Sequence, residues 1–175
     1  MRIAWPNPFG ALVASACEAE AAQLGDKILD PALPTAIMRE ESSFIEDIES
    51  YAGALGLMQL MPRTALGHDD DIDGDATPER LKTAQVNVRV GVDHLFWLAK
   101  RFNGHPALIA AAYNAGGGAV GKWLNKQPND DIALFVEDIP PLQTRDYTKR
   151  VMGSYAAYQY LAGQKLDPRI LMPAR

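Results

Sequence analysis

Residues 77–99 read TPERLKTAQVNVRVGVDHLFWLA, and this stretch decides the fold class. Leu81, Val88, Val92, Leu95, Phe96 and Ala99 fall on one face of a helix turning every 3.6 residues. Thr77-Pro78-Glu79 supplies the opening signal, and the spacing predicts the longest helix of the chain from there. The same periodicity runs outward in both directions. Towards the N-terminus, Asn7-Pro8 reads as an N-cap and first helical position, followed by the stripe Phe9, Leu12, Val13, Ala16 and Cys17 up to about Gly25. A second helix is expected over Pro34 to Phe44. Beyond the central stretch, shorter helices are expected at Pro106 to Tyr113, Gly118 to Lys126 and Asp131 to Val136. A last long one begins near Thr144 and carries Tyr147, Val151, Tyr155, Tyr158 and Leu161. Two-residue alternation is scarce. The fold class is all-α, with two Gly-rich irregular segments, around Gly53 and Gly56 and at Gly116-Gly117-Gly118.

Composition sets the outer bounds. The 175 residues suit one domain over 1–175, with residues 1–30 as a helical extension of it. Apolar residues make up 47% and charged residues 22%, ordinary values for a globular chain. The lone Cys17 excludes an internal disulfide and sits on an apolar stripe, where it is expected to be buried and inert. The apolar run Ala107 to Tyr113 is far below the roughly 20 residues of a membrane span. Met1-Arg2 leads into Trp5, Pro6 and Pro8 rather than an apolar segment, so no signal peptide is expected. A net charge of −5 argues against nucleic acid as a partner.

Chemistry is concentrated in three places. In Arg39-Glu40-Glu41-Ser42, the adjacent carboxylates point about 100° apart on a helix. Glu41 lies one turn from both Ile37 and Ile45, on their apolar side, while Glu40 faces elsewhere and is expected to be solvated. A carboxyl against an apolar wall has its pKa raised, because desolvation penalises the charged form, and can serve as a general acid. The segment Ser50 to Pro62 combines glycines, one amide and two methionines, a mixture suited to a sugar with polar and apolar faces. Ala111-Ala112-Tyr113-Asn114-Ala115-Gly116 adds a phenol and an amide at a helix end.

Together these segments resemble the catalytic domain of the soluble lytic transglycosylases, which cleave peptidoglycan. Arg39-Glu40-Glu41-Ser42 is similar to the family's Glu-Ser signature, and Gly53 to Pro62 to its Gly-Leu-Met-Gln box. Ala111 to Gly116 is similar to its Ala-Tyr-Asn-Ala-Gly box. Thr144-Arg145-Asp146-Tyr147 with Lys149-Arg150-Val151 is similar to the opening of its last helix. Asn87-Val88-Arg89-Val90-Gly91 and Trp5-Pro6-Asn7-Pro8-Phe9 also match family segments. The resemblance implies a lysozyme-like compact helical domain with a substrate cleft. It implies that Glu41 is the sole catalytic acid and base, forming 1,6-anhydro-N-acetylmuramic acid without consuming water. Ser50, Met58, Gln59, Met61, Tyr113, Asn114, Gln143 and Tyr147 would meet the glycan, Tyr113 also orienting Glu41. Peptidoglycan strands are the implied partner, no cofactor or metal is implied, and a monomer is expected. A periplasmic or envelope location follows, with the domain either part of a longer envelope protein or exported by another route. One departure stands out: the family usually has Glu where this chain has Gln143.

Two other readings stay open: a lysozyme-type hydrolytic muramidase on the same scaffold, and an inactive glycan-binding module. Asp69, Asp71, Asp73 and Gly74 copy half of a calcium loop, but Arg80 occupies the position that needs a bidentate Glu, so an acidic loop capped by Thr77 is expected. Glu46, Asp47 and Glu49 read as a solvated turn, and Arg39, Arg63, Lys122 and Arg145 as scattered surface cations. His68, His94 and His105 lack metal-ligand spacing and read as surface or packing residues.

Overall fold

The structure, a computed structural model, describes residues 5–25, 29–68, 77–126 and 131–169. The loop of Asp69, Asp71 and Asp73 lies outside them. Among the described residues the regular elements are α1 (Gly10–Leu24), α2 (Ala32–Ser42), α3 (Pro62–Leu66), a 3-10 turn (Arg80–Lys82), α4 (Ala84–Arg101), α5 (Pro106–Ala115), α6 (Gly117–Leu124), α7 (Ile132–Glu137) and α8 (Leu142–Leu161). No strand occurs among them, only isolated antiparallel bridges pairing Leu55 with Glu49 and with Leu60. The chain divides into two compact units, residues 1–96 and 97–175.

In the first unit α1 packs on α2. Its core is built from Val13, Cys17, Ile37, Leu57, Leu81 and Leu95, all without exposed surface. Cys17 is buried as expected, and burial pushes its thiol pKa up to about 12, so it carries no reactive thiolate near neutral pH. α2 begins two residues before the expected Pro34. Asp30 explains why: its side-chain Oδ1 accepts from the Ala32 N–H at 3.0 Å. Pro34 then sits in the first turn, where a missing N–H costs nothing. α2 also stops early. Ser43 and Phe44 both take left-handed backbone, with φ of 50° and 67°, and Ser42 accepts the Phe44 N–H on its hydroxyl. Ile45 therefore lies off the helix at 51% exposure, not one turn beyond Glu41.

α4 starts seven residues after Thr77. Thr77 instead accepts the Arg80 N–H over the 3-10 turn, and Thr83 is extended (ψ 138°) with its hydroxyl on the Arg80 carbonyl. The first N–H of α4, from Ala84, is taken by Glu46 Oε1 at 2.8 Å. Glu46 is the exposed turn residue expected, and it also caps α4 from 38 residues away. Glu49 pairs with Lys82 at the surface, where such a contact adds little.

In the second unit α5 packs against α6 and α8, and α7 against α8. Pro106 opens α5, and Asp131 caps α7 by accepting from the Ala133 and Leu134 N–H groups. α8 begins at Leu142 after Pro141 and, at 20 residues, is longer than the 18-residue α4 expected to be longest. Arg145 is no free surface cation: its Nε and Nη2 both donate to the Ile139 carbonyl.

Candidate active site

Glu41 is the penultimate residue of α2 and half-buried. Glu40 is half-buried too, so exposure does not separate the pair as expected. Ser42 behind Glu41 is buried, its hydroxyl donating to the Met38 carbonyl at 3.1 Å. One turn before the helix end, Arg39 stacks its guanidinium 4.2 Å from the centre of the Trp5 ring, a contact between residues the sequence treats separately.

The Gly-rich segment of the same unit is tightly folded. Ser50 accepts the Ala54 N–H on its hydroxyl, and its carbonyl takes the Gly53 N–H. Leu55 and Leu60 exchange two backbone hydrogen bonds of 3.0 Å, closing a four-residue loop over Gly56 to Gln59. Gln59 sits at the end of that loop with φ of 48°, a left-handed value that costs a non-glycine residue about 1 kcal/mol or more. Its side-chain amide donates to the carbonyls of Ile48 (3.2 Å) and Gly56 (3.0 Å). Both partners are pure acceptors, so the amide orientation is settled and Oε1 remains as an acceptor. Met61, next to α3, is 43% exposed.

Met58 departs from expectation. It has no exposed surface, and its thioether fills the space over Gly91, where a Cβ would come within 2.3 Å of the sulfur. A side chain with no accessible area cannot line a binding surface; Met58 belongs to the core.

In the second unit, Tyr113 is half-buried and Asn114 exposed at the end of α5. Asn114 Oδ1 accepts from the Thr144 hydroxyl at 2.8 Å, tying α5 to the start of α8. Gln143 is exposed on the first turn of α8, whereas Tyr147, one turn on, is 4% exposed.

A further polar cluster was missed by spacing alone. His68 Nδ1 lies 2.5 Å from Asp93 Oδ2, and His68 Nε2 lies 3.0 Å from His94 Nδ1. Burial, with the neighbouring His68, lowers the His94 pKa to about 4, Asp93 opposing. In the unfolded chain it would titrate near 6.5. The unfolded state therefore binds a proton that the native state refuses, and stability held above pH 6.5 is lost as pH falls towards 4. We expect His94→Gln to flatten the melting temperature across that window relative to the parent chain. Parallel curves for the two proteins would show that His94 does not carry the slope. Among the described residues no group of three or more His, Cys, Asp or Glu side chains could hold a metal ion. No helix there is long and apolar enough to cross a membrane.

An all-helical chain with a Glu-Ser helix end, a closed Gly-Leu-Met-Gln loop and an amide-bearing helix end defines a class that comparison makes specific. The sequence profile of the Transglycosylase SLT domain matches residues 19–136, and the chain belongs to that family. The soluble lytic murein transglycosylase of Escherichia coli K12 is 38% identical over 133 residues, covering 74% of this chain and 21% of that protein. Membrane-bound lytic murein transglycosylase C of Histophilus somni is 30% identical over 165 residues, covering 79% and 44%. The crystal structure of the 70-kDa soluble lytic transglycosylase of E. coli matches with a TM-score of 0.86 and 31% identity, over 99% of this chain and 27% of that one. An inactive glutamate-to-glutamine variant of Pseudomonas aeruginosa lytic transglycosylase Slt matches at 0.81 and 33%, over 94% and 26%. The fold is thus the lysozyme-like helical fold. The chain spans about a fifth to a quarter of the soluble relatives' length.

Proposed function

We propose that this chain is a peptidoglycan lytic transglycosylase domain, its 175 residues working together. It would cleave the β-1,4 bond between N-acetylmuramic acid and N-acetylglucosamine without water. Glu41 protonates the glycosidic oxygen as the C1–O bond breaks. The resulting carboxylate accepts the proton of the muramoyl C6 hydroxyl, whose oxygen bonds to C1 and closes the 1,6-anhydro ring. A conventional glycosidase needs a second carboxylate as nucleophile or base; here the substrate's own hydroxyl is the nucleophile. Ser50, Gln59 and Met61 in the first unit and Tyr113, Asn114, Gln143 and Tyr147 in the second are the residues assigned to the glycan. The fixed acceptor of Gln59 suits an N–H or O–H of the sugar. A contact by Tyr147 is confined to the small part of its surface that is open. The domain acts as a monomer in the cell envelope, either as part of a longer protein or exported by another route.

Identity to lytic murein transglycosylases across three quarters of the chain carries this reading. Mass spectrometry of digested peptidoglycan tests it: the expected muropeptides are lighter by one water than those left by a muramidase. Hydrolysed ends would establish the lysozyme-type alternative, and undigested glycan the binding module.

A further inference from the structure

Asn87, in the first turn of α4, has no exposed surface and yet carries a side-chain amide. A buried amide without partners would cost several kcal/mol, so its contacts are informative. Oδ1 accepts the Met58 N–H at 2.7 Å, and Nδ2 donates to the Leu55 carbonyl at 2.8 Å and to the Leu81 carbonyl at 2.7 Å. Two of these partners lie on the loop ending in Gln59 and flank Gly56. A Cβ on Gly56 would come within 2.3 Å of Asn87 Nδ2, so the loop backbone rests directly on this amide. Gly56 in turn accepts from the Gln59 side chain and backbone N–H. The chain of contacts is therefore Asn87 to Gly56 and Met58, and from those to Gln59, with its left-handed backbone.

We propose that Asn87 is the positioning residue for Gln59: buried beneath the loop, it holds the backbone on which the Gln59 acceptor is aimed, and so sets glycan affinity without touching glycan. The proposal rests on the reading that Gln59 meets the sugar. An amide is suited to this task because it satisfies one N–H and two carbonyls at once. Asp loses both donors, and an aliphatic residue of similar size loses all three bonds.

The test is a double-mutant cycle on kcat/KM for purified peptidoglycan, at a temperature where circular dichroism shows every variant folded. Gln59→Ala is expected to lower kcat/KM by about tenfold, the scale of one lost hydrogen bond. Asn87→Ala should cost a similar factor. In the double variant the two losses should merge rather than multiply, because removing Gln59 leaves Asn87 nothing to position. A double variant down by the product of the single factors, about a hundredfold, overturns the proposal. A neutral Gln59→Ala overturns instead the underlying reading that Gln59 meets the glycan. Should Asn87→Ala not fold, Asn87→Asp completes the cycle with the same criterion. Its deficit relative to the parent chain should shrink as pH falls, since a protonated carboxyl regains one donor towards Leu55 or Leu81; a deficit constant with pH speaks against positioning by hydrogen bonding.

Discussion

Glu41→Gln is expected to lower peptidoglycan turnover by about 10³-fold while glycan binding is retained, the range typical of a lost general acid and base. The substitution keeps the side chain's size and hydrogen-bonding capacity but cannot deliver a proton to the glycosidic oxygen or recover one from the C6 hydroxyl. In the proposed mechanism both steps pass through the same carboxyl, so no partial function should survive by division of labour. Burial does not distinguish Glu41 from its neighbour, which makes Glu40→Gln the decisive comparison. It should retain turnover within a few fold, about 1 kcal/mol or less in barrier. Equal losses in the two variants, or a Glu41→Gln protein that still releases anhydro-muropeptides at the parent rate, would remove Glu41 from the mechanism.

The largest effect on stability is expected from Gly56→Ala. Gly56 has φ of 73°, and a methyl there would approach Asn87 Nδ2 to 2.3 Å and the Leu81 carbonyl to 2.4 Å. Neither neighbour is the loose end of a flexible chain: one is a buried amide with three bonds, the other is backbone. Steric displacement and left-handed strain together should cost about 3 kcal/mol or more, lowering the melting temperature by roughly 6–12 °C for a chain of this size. Gly53 is the internal control. Its φ of 82° carries similar strain, but nothing lies within 4 Å of its missing Cβ, so Gly53→Ala should cost only about 1 kcal/mol. Differential scanning calorimetry of both variants checks the contrast, and equal losses would mean that strain rather than crowding dominates.

Much of this was legible in the chain. The stripe through Leu81 to Ala99 announces a helix because burial of one face repeats every 3.6 residues, and α4 carries it. The apolar N-terminal stripe likewise becomes α1, closed by left-handed Gly25. Motifs such as Glu41-Ser42 and Tyr113-Asn114 are visible because their chemistry lies in adjacent residues. The end of α2 was not, since Ser43 and Phe44 carry no glycine to signal left-handed backbone, and it is the Ser42 hydroxyl that receives the Phe44 N–H. For the same reason Ile45 does not lie on the apolar side of Glu41 that helical spacing predicts.

Sequence by itself determined the helical class, most helix positions to within a few residues, and the family. Only tertiary structure decided that Met58 is core rather than lining, that Glu46 caps α4, that His68, Asp93 and His94 form a chain, and that Asn87 underlies the Gln59 loop. The physical reason is range. Periodicity, caps and motifs act over about four residues and are written where they act, whereas these contacts join residues 25 to 38 positions apart. Which buried amide or carboxylate satisfies which distant backbone group is set by the path of the folded chain, because every buried donor must find an acceptor wherever packing brings one.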